Sequence, residues 1–343
     1  MDGRLKAGDR FPTCREICSE FGVSMIVASA VVKQLGRECL IHSRPHLGSI
    51  VVPQGASAWR DTVLYINTGG SYSAYAGMLS GALREKLVKA GFLFASIDMP
   101  SRFISKADIA RLEVALAVKP RLAVLLHARE EVVHTLEKAK VEYVIVDDGV
   151  KPFTGKKSLL CRGVIFADYG EPVAQFAAHC GTAGVRNVLE VGFERGYASA
   201  ASALASFGIK VSKVMDRETP DFWHYGHVKH SGLLLAERLL ARGNLPDLIY
   251  FTDDYLAAGA LVAFARHGVV FPQDVRFVSL ATKGFEPLWW QEVTRIEWDW
   301  TMQGEALAGK VAILLEDRTE RIECSISPQY ITGDTFPSLI MEA

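Results

Sequence analysis

Residues 246–260 are Pro246-Asp-Leu-Ile-Tyr-Phe-Thr-Asp-Asp-Tyr-Leu-Ala-Ala-Gly-Ala260, and they decide the fold. The apolar run 248–251 is typical of a buried parallel strand, and the segment after it has helical spacing. Asp253 and Asp254 lie between the two, where the strand ends and the helix begins. Open α/β sheets bind ligands at this edge, so both carboxylates are candidate ligand contacts. Capping of the helix is the alternative role.

Short apolar runs and amphipathic segments alternate on both sides of this stretch. The runs that we predict as strands are 62–66, 92–97, 122–126, 143–146, 188–191, 248–251 and 277–280. The segments that we predict as helices between them include 78–90, 130–139, 199–207, 232–242 and 256–267. This alternation predicts an α/β fold with parallel sheets that helices cover on both faces. The roughly 280 residues after the first part are more than a domain with a single sheet usually contains, so we expect two lobes.

Composition excludes several classes of protein. The 343 residues are 49% hydrophobic and carry 38 Lys and Arg against 39 Asp and Glu, which excludes a disordered chain or one that is basic throughout. Residues 1–60 carry a net charge of +3 and the remainder −4, which indicates that the first part meets an anionic polymer. Six cysteines without a framework, and the lack of a signal or membrane-spanning segment, predict a cytoplasmic protein without membrane contact.

The first part of the chain has the signals of a helix-turn-helix with a wing. Thr13 and Glu16 form a capping box before a helix at 14–21. A turn at 22–24, with Ser24 as cap, leads into a second helix at about 25–37, and strands 40–42 and 49–52 flank a turn at 44–48. We predict a DNA-binding domain at 1–54 and a linker at 55–61. A generic small helical domain is the alternative.

This part resembles a known family. Gly3-Arg-Leu-Lys-Ala-Gly-Asp-Arg-Phe-Pro12, the following Thr13-Cys-Arg-Glu-Ile-Cys-Ser-Glu-Phe-Gly-Val-Ser24 and the later Cys39-Leu-Ile-His-Ser-Arg-Pro-His-Leu-Gly-Ser-Ile-Val51 resemble the winged-helix domain of GntR-family transcription regulators. The resemblance implies these DNA contacts: Arg15, Ser24, Met25, Ser29, Arg44, His46 and Gly48. Met25 and Ser29 replace basic residues of the family, so the second helix offers apolar contact to the major groove rather than bidentate donors. The family's first helix would precede Gly3, and we expect that it is missing here.

The remainder resembles another family. Residues 246–278, with Gly81, Arg195-Gly196-Tyr197, Ser231-Gly232 and Val293-Thr294-Arg295-Ile296, resemble the LacI-type, periplasmic-binding-protein-like effector domain over about 62–335. The resemblance implies an effector domain at 62–343 that binds a small effector between lobe 1, at about 62–165 and 299–324, and lobe 2, at about 166–298.

The effector contacts that this resemblance implies are Tyr72, Tyr75, Asp147, Arg195, Asp253, Asp254 and Trp298. Asp253 and Asp254 match an Asn-Asp pair that binds effector hydroxyls, and the two tyrosines lie where the family often stacks an aromatic ring on a sugar. The effector is therefore expected to be a sugar or sugar derivative. From the run 221–230, interpreted as a loop at the edge of the pocket, we add Trp223 and His227 as candidates.

Metal sites have weaker support. Cys14, Cys18, Cys39, His42 and His46 could supply zinc ligands in the first part, but the cysteine pair has three intervening residues rather than two. His224, His227 and His230 are three residues apart, and on a helix only neighbouring pairs would share a face. We therefore predict neither a metal nor a cofactor.

Catalytic motifs are missing from the sequence. It contains no G-x-S-x-G, no Walker A motif and no G-x-G-x-x-G after a strand, and the turn Asn67-Thr-Gly-Gly-Ser71 lacks a following Lys. The resulting prediction is a homodimeric transcription regulator, a repressor of a double-stranded DNA operator, without enzymatic activity. The alternatives are a cytoplasmic solute-binding or sensor protein with a degenerate DNA-binding head, and an enzyme that uses Asp253 and Asp254 as acid and base.

Overall fold

The computed structural model describes residues 5–6, 8–37, 40–44, 48–51, 61–69, 74–99, 104–147, 158–193, 198–216, 225–317 and 319–338. The chain divides into two compact units, which are residues 1–62 with 88–93, and residues 63–87 with 94–343. Within the described ranges, every helix is too short or too polar to span a bilayer.

The first unit begins with two helices. Residues 10–51 form β1 (Arg10–Phe11), α1 (Cys14–Phe21), α2 (Met25–Arg37), β2 (Ile41–Arg44) and β3 (Gly48–Val51). The Thr13 hydroxyl accepts a hydrogen bond from the Glu16 amide (3.2 Å), and the Glu16 carboxylate accepts one from the Thr13 amide (2.6 Å). Gly22 ends α1 in the left-handed conformation, with φ 66°. The predicted capping box and the bounds of both helices are confirmed.

A small antiparallel sheet with strand order β1-β3-β2 follows the helices. Its hairpin pairs Arg44 with Gly48, so the strands are 41–44 and 48–51 rather than the predicted 40–42 and 49–52. Ile17, Ala28 and Ile41 are buried among residues 5–51. Phe21, which lies four residues after Ile17 and therefore on the same side of α1, is 66% exposed. Two helices and a small sheet provide too little surface to cover the whole face.

From Thr62 onward, the chain forms two α/β halves. The first half contains β4 (Thr62–Asn67), α3 (Ala74–Lys89), β5 (Leu93–Asp98), α4 (Lys106–Leu116), β6 (Leu122–Leu126), α5 (Glu130–Lys138), β7 (Tyr143–Asp147) and β8 (Cys161–Ala167). The second half contains α6 (Gly170–Thr182), β9 (Asn187–Phe193), α7 (Ala201–Ser206), β10 (Lys210–Asp216), α8 (Tyr225–Ala241), β11 (Leu248–Phe251), α9 (Asp254–Arg266), β12 (Arg276–Thr282) and β13 (Thr294–Trp298). The last elements are α10 (Trp300–Glu316), β14 (Ile322–Ile326) and β15 (Gln329–Ile331).

These strands form two six-stranded sheets. Sheet one has the order β14-β8-β7-β6-β4-β5, and sheet two has the order β10-β9-β11-β12-β13-β15. Neighbouring strands are parallel from β14 to β4 and from β10 to β13, and β15 is antiparallel to β13. The predicted α/β fold with parallel sheets is confirmed, and each of the seven predicted strands matches an observed one within two residues.

Helices cover both faces of sheet two. One apolar core lies between the sheet and the pair α8 and α9, and the other lies between the sheet and the pair α6 and α7. The helices α8 and α9 approach closely at two glycines, because a Cβ at Gly259 would overlap the Lys229 carbonyl and one at Gly232 would overlap the Leu256 carbonyl. Trp289 packs on this core while Trp290 is 67% exposed, as expected for adjacent residues.

Sheet one is also covered on both faces. Helices α4 and α5 pack over β4, β6 and β7 in one apolar core. On the other side, α10 approaches α3 so closely that a Cβ at Gly304 would overlap that of Ala82. The helix α10 therefore belongs to this half, although it follows the last parallel strand of sheet two.

Candidate functional site

Three chain segments cross between the sheets. They follow Ala167 at the end of β8, Trp298 at the end of β13, and Ile326 at the end of β14. All three strands are parallel members of their sheets, so each crossing leaves a sheet at its carboxyl edge. The carboxyl edges of both sheets therefore border the crossings. Open α/β sheets bind ligands at such edges.

The crossings contact one another directly. The Asp168 amide donates to the Ile326 carbonyl (3.0 Å), which connects the first and third crossings. The Trp298 Nε1–H donates to the Tyr169 hydroxyl (3.0 Å), and the two rings meet edge to face with centroids 5.3 Å apart. Trp298 is only 9% exposed. This residue, which was expected to contact the effector, thus joins two crossings, and its contact with an effector stays a prediction.

The carboxyl edge of sheet one collects polar groups from four strands. Asn67, at the end of β4, donates from Nδ2 to Asp98 Oδ1 at the end of β5 (3.0 Å) and accepts from the Gly69 amide (3.0 Å). The Thr68 hydroxyl donates to the carbonyl of His127, which follows β6 and has a φ of 58°. Asp147 ends β7 and is 7% exposed. Of this group, the sequence identified only Asp147 as a candidate contact.

The carboxyl edge of sheet two holds the acidic pair. Asp253 caps α9, since its Oδ1 accepts a hydrogen bond from the Leu256 amide (2.9 Å). The capping role that the sequence left open is therefore present. Asp254 is the first residue of α9, and polar groups of Thr282, which ends the neighbouring strand β12, lower its pKa. Asp253 is thus held in place by its capping bond, and Asp254 follows it directly.

Burial changes the acidity of this pair. Burial raises the pKa of Asp253, and the adjacent charge of Asp254 raises this pKa further. The backbone amides at the start of α9 act in the opposite direction. Burial also raises the pKa of Asp254, while polar groups of Thr282 oppose the shift. Two adjacent, partly buried carboxylates resist joint ionisation. Hydroxyl donors from a ligand would stabilise their charged forms.

The other effector candidates are only partly described. Tyr72, Arg195 and Trp223 lie outside the described residues, as does the side chain of Tyr75, whose backbone belongs to the first turn of α3. His227 is exposed in the first turn of α8. The interpretation of 221–230 as a loop was wrong for 225–230, because the apolar spacing of α8 extends back to Val228, which is buried in its core.

The DNA-contact candidates lie in α1, α2 and the hairpin. Arg15 is exposed on α1, Ser24 is exposed immediately before α2, and the Ser24 Oγ is 3.4 Å from the Val27 amide. Met25 is 49% exposed and Ser29 is partly buried. Gly48 begins β3 with a φ of 84°. Arg44 ends β2, and its side chain lies outside the described part together with His46.

Among the described residues, no three His, Cys, Asp or Glu side chains form a cluster that could hold a metal ion. Cys39, His46 and His224, which the zinc hypotheses used, lie outside the described part.

Several residues of the site were not among the predicted effector contacts. They are Asn67, Asp98, His127, Tyr169 and Thr282. Four of them lie at or directly after the end of a parallel strand, and that position is the signal that could have identified them. Tyr169 follows a strand that the apolar pattern did not reveal.

Two parallel sheets joined by three crossings define the class of periplasmic-binding-protein-like folds. Consistent with this, residues 176–336 match the family model described as a periplasmic binding protein-like domain.

Solved structures share the fold. A LacI family transcriptional regulator from Enterococcus faecium with bound ribose has 13% identity and a TM-score of 0.63, covering 81% of this chain and 99% of that chain. One from an Arthrobacter species in complex with lactose has 14% identity and a TM-score of 0.60, covering 80% and 99%. An ABC transporter solute binding protein from Agrobacterium vitis with bound allitol has 16% identity and a TM-score of 0.59, covering 79% and 96%. At such identities these likenesses establish the fold alone.

Proposed function

We propose that the chain is a cytoplasmic transcription regulator, a repressor, that binds operator DNA through its first unit and a sugar or sugar derivative through its second. The observation that carries the proposal is the arrangement of polar side chains at the carboxyl edges of both sheets, around three crossings. Such an arrangement lets one small molecule contact both halves at once. The proposed role is binding rather than catalysis.

The chemistry of the two edges favours a polyhydroxylated effector. Asp147, Asp253 and Asp254 supply carboxylate acceptors, and Asn67 supplies an amide that is already oriented by Asp98. Carboxylates form strong hydrogen bonds with hydroxyl donors when both are removed from water. Ribose, lactose and allitol, which are bound in the similar structures, are all of this chemical class.

The proposal takes the first unit as a winged helix-turn-helix of the GntR type, in which α2 would be the recognition helix and the β2–β3 hairpin the wing; the order α1, α2, β2, β3 supports it. Its net positive charge suits DNA, and a homodimer would place two such units on a palindromic site. Effector binding would favour one arrangement of the two halves over another. If DNA binds one of these arrangements better, its affinity would change by at most the ratio of the effector's affinities for the two arrangements.

Thermal unfolding with a panel of sugars tests the effector site. The expected result is that one or more sugars raise the Tm of the full chain and that Asp254→Asn removes the effect. Asp274→Asn is the matched control, because Asp274 is exposed and precedes β12 at the amino edge of sheet two. A panel in which no sugar raises the Tm contradicts the assignment.

DNA binding is tested by titrating the full chain into genomic fragments at several salt concentrations. We expect binding that weakens as salt rises, that Arg15→Ala reduces, and that the stabilising sugar changes. Binding that is unaffected by Arg15→Ala and by salt would contradict the role of the first unit.

The alternative function is a cytoplasmic sugar sensor or solute-binding protein with a degenerate head. The specific observation in its favour is the likeness to the solute binding protein from A. vitis. Sugar binding without DNA binding at low salt would support this alternative. Conversion of the bound sugar into a product would instead show an enzyme.

A further inference from the structure

The solvent-facing side of α2 has an unusual composition. Ala28 is fully buried, and Val32 and Leu35, which are partly buried, lie on the same side of the helix. With about 100° per residue, Ile26, Ala30 and Lys33 lie within about 60° of one another on the opposite side. All three are exposed, and Ile26 is 83% exposed.

No described residue packs over Ile26 closely enough to remove it from solvent. A large apolar side chain that is four-fifths exposed contributes little to folding, because apolar side chains stabilise a fold by leaving water. Met25 and Val27 beside it are also about half exposed. The first turn of α2 therefore presents three large apolar side chains without a hydrogen-bonding side chain among them.

This composition selects one kind of base edge in the major groove. The first residues of a recognition helix contact base edges there. Guanine is read by Arg or Lys, adenine by Asn or Gln, and cytosine by acidic side chains, whereas the 5-methyl group of thymine is read by apolar contact. Met25, Ile26 and Ala30 can make only the last of these contacts.

The charges around this side suit duplex DNA as the occupant. The amino end of α2 carries the positive end of the helix dipole, and exposed Lys33 provides a cation one turn beyond Ala30. Arg15 is exposed on α1, and residues 1–60 have a net charge of +3. Cations that contact phosphates position a protein on DNA without reading the sequence.

We propose that Met25, Ile26 and Ala30 read thymine methyl groups in the major groove, so that the first unit selects its half-site by apolar contact, with Lys33 on the phosphate backbone. This inference rests on the proposed function, because it specifies how the DNA-binding unit recognises its site. Ile26 is the main specificity-determining residue.

The experiment begins with selection of a random duplex library by the full chain, followed by replacement of each dT in the enriched sequences by dU. This replacement removes only the methyl group. At one or two positions in each half-site, loss of the methyl group is expected to reduce the affinity of the protein for the duplex about fourfold, which corresponds to about 0.8 kcal/mol. Replacement of the other thymines should leave the affinity unchanged.

Three variants assign the effect to residues. Ile26→Ala should abolish the difference between dT and dU at one position of the half-site. Val31→Ala, the matched control, removes an exposed apolar side chain of α2 that lies about 140° around the helix from Ile26, and should keep the difference. Lys33→Ala should weaken binding to all sequences alike and reduce the salt slope by about one.

The outcomes separate the inference from the function on which it rests. Enriched sequences that bind equally well with dT and dU overturn thymine reading and leave a DNA-binding regulator. A difference that persists in Ile26→Ala overturns the role of Ile26. If the library yields no enriched sequence even at low salt, both the inference and the proposed function fail.

Discussion

The two units of this protein bury their apolar residues to very different degrees. The second unit contains three large apolar cores, and helices cover both faces of each of its sheets. Among the described residues of 5–51, the buried apolar side chains are Ile17, Ala28 and Ile41, while five large ones in α1 and α2 are exposed. Small units bury a smaller share of their surface and are marginally stable. The difference indicates that stability resides in the second unit and that the first has apolar surface free for a partner.

The largest effect is expected from Gly259→Ala in the second unit. The new Cβ would overlap the Lys229 carbonyl, and backbone atoms in two packed helices cannot move aside without separating α8 from α9. We expect a loss of about 3 kcal/mol or more, seen as a lower Tm in calorimetry. Gly309→Ala in α10 is the control, because no atom lies within 4 Å of its Cβ position, and it should be neutral or slightly stabilising. Equal effects of the two variants would refute the close approach.

The next largest effect is expected from Ile17→Ala in the first unit. Removing this buried side chain should cost about 3 kcal/mol, which is a large share of what three buried side chains can contribute. Limited proteolysis should then cleave within residues 5–51, while the calorimetric Tm of the second unit is unchanged. Ile26→Ala removes an exposed side chain and should have no such effect. A matching fall in the Tm of the second unit would show that the two units unfold together.

A pH-dependent effect is expected from Asp253→Asn. The pKa of Asp253 is raised, so its contribution to stability is present below pH 4 and is lost as pH rises through the raised pKa of about 7. Asn still accepts the hydrogen bond from the Leu256 amide but cannot ionise. The variant should match the parent protein at pH 4 and become more stable than the parent as the pH rises to 8. The measurement is Tm across this pH range.

Asp274→Asn serves as the control for this pH series, because it makes the same substitution at an exposed position. Stabilisation of that variant at pH 8 to the same extent would show that the effect does not come from the pair Asp253 and Asp254. An Asp253→Asn variant that is equally stabilised at pH 4 and pH 8 would contradict the raised pKa.

The smallest effect is expected from Thr13→Ala. It removes the hydroxyl that accepts from the Glu16 amide, and should cost the first unit about 1 kcal/mol. Amide hydrogen exchange in α1 should accelerate, whereas exchange in α9 should not. Thr13→Ser keeps the hydroxyl and should exchange like the parent protein. Unchanged exchange in Thr13→Ala would mean that α1 does not depend on its cap.

Some strands could not be predicted from apolar patterns. The strands β8, β13 and β14, which lead into the crossings, contain charged residues, and their sequences are Cys-Arg-Gly-Val-Ile-Phe-Ala, Thr-Arg-Ile-Glu-Trp and Ile-Glu-Cys-Ser-Ile. Arg162 in β8 is 3% exposed, and its charge is paired with Glu142 (2.7 Å). A buried charge with a partner 20 residues away is indistinguishable from a surface charge in the sequence.

The candidate site was predictable only where it depends on neighbouring residues. Asp253 was identified because a strand and a helix meet at its position, and its capping bond spans three residues. The partners of the other site residues are distant in the chain: Asn67 and Asp98 are 31 positions apart, and Tyr169 and Trp298 are 129 positions apart. Those contacts depend on which strands are neighbours and on where the chain crosses between sheets.

The amino-acid sequence alone therefore determined the local features of this protein: the capping box at Thr13, the two helices of the first unit, the strand and helix around Asp253, and the α/β alternation. These features follow from hydrophobic periodicity and from hydrogen bonds within a few residues. Only the tertiary structure decided that Trp298 joins two crossings, that Thr282 lowers the pKa of Asp254, and that Ile26 faces solvent. Each of these depends on burial and on strand order, which are properties of the whole fold.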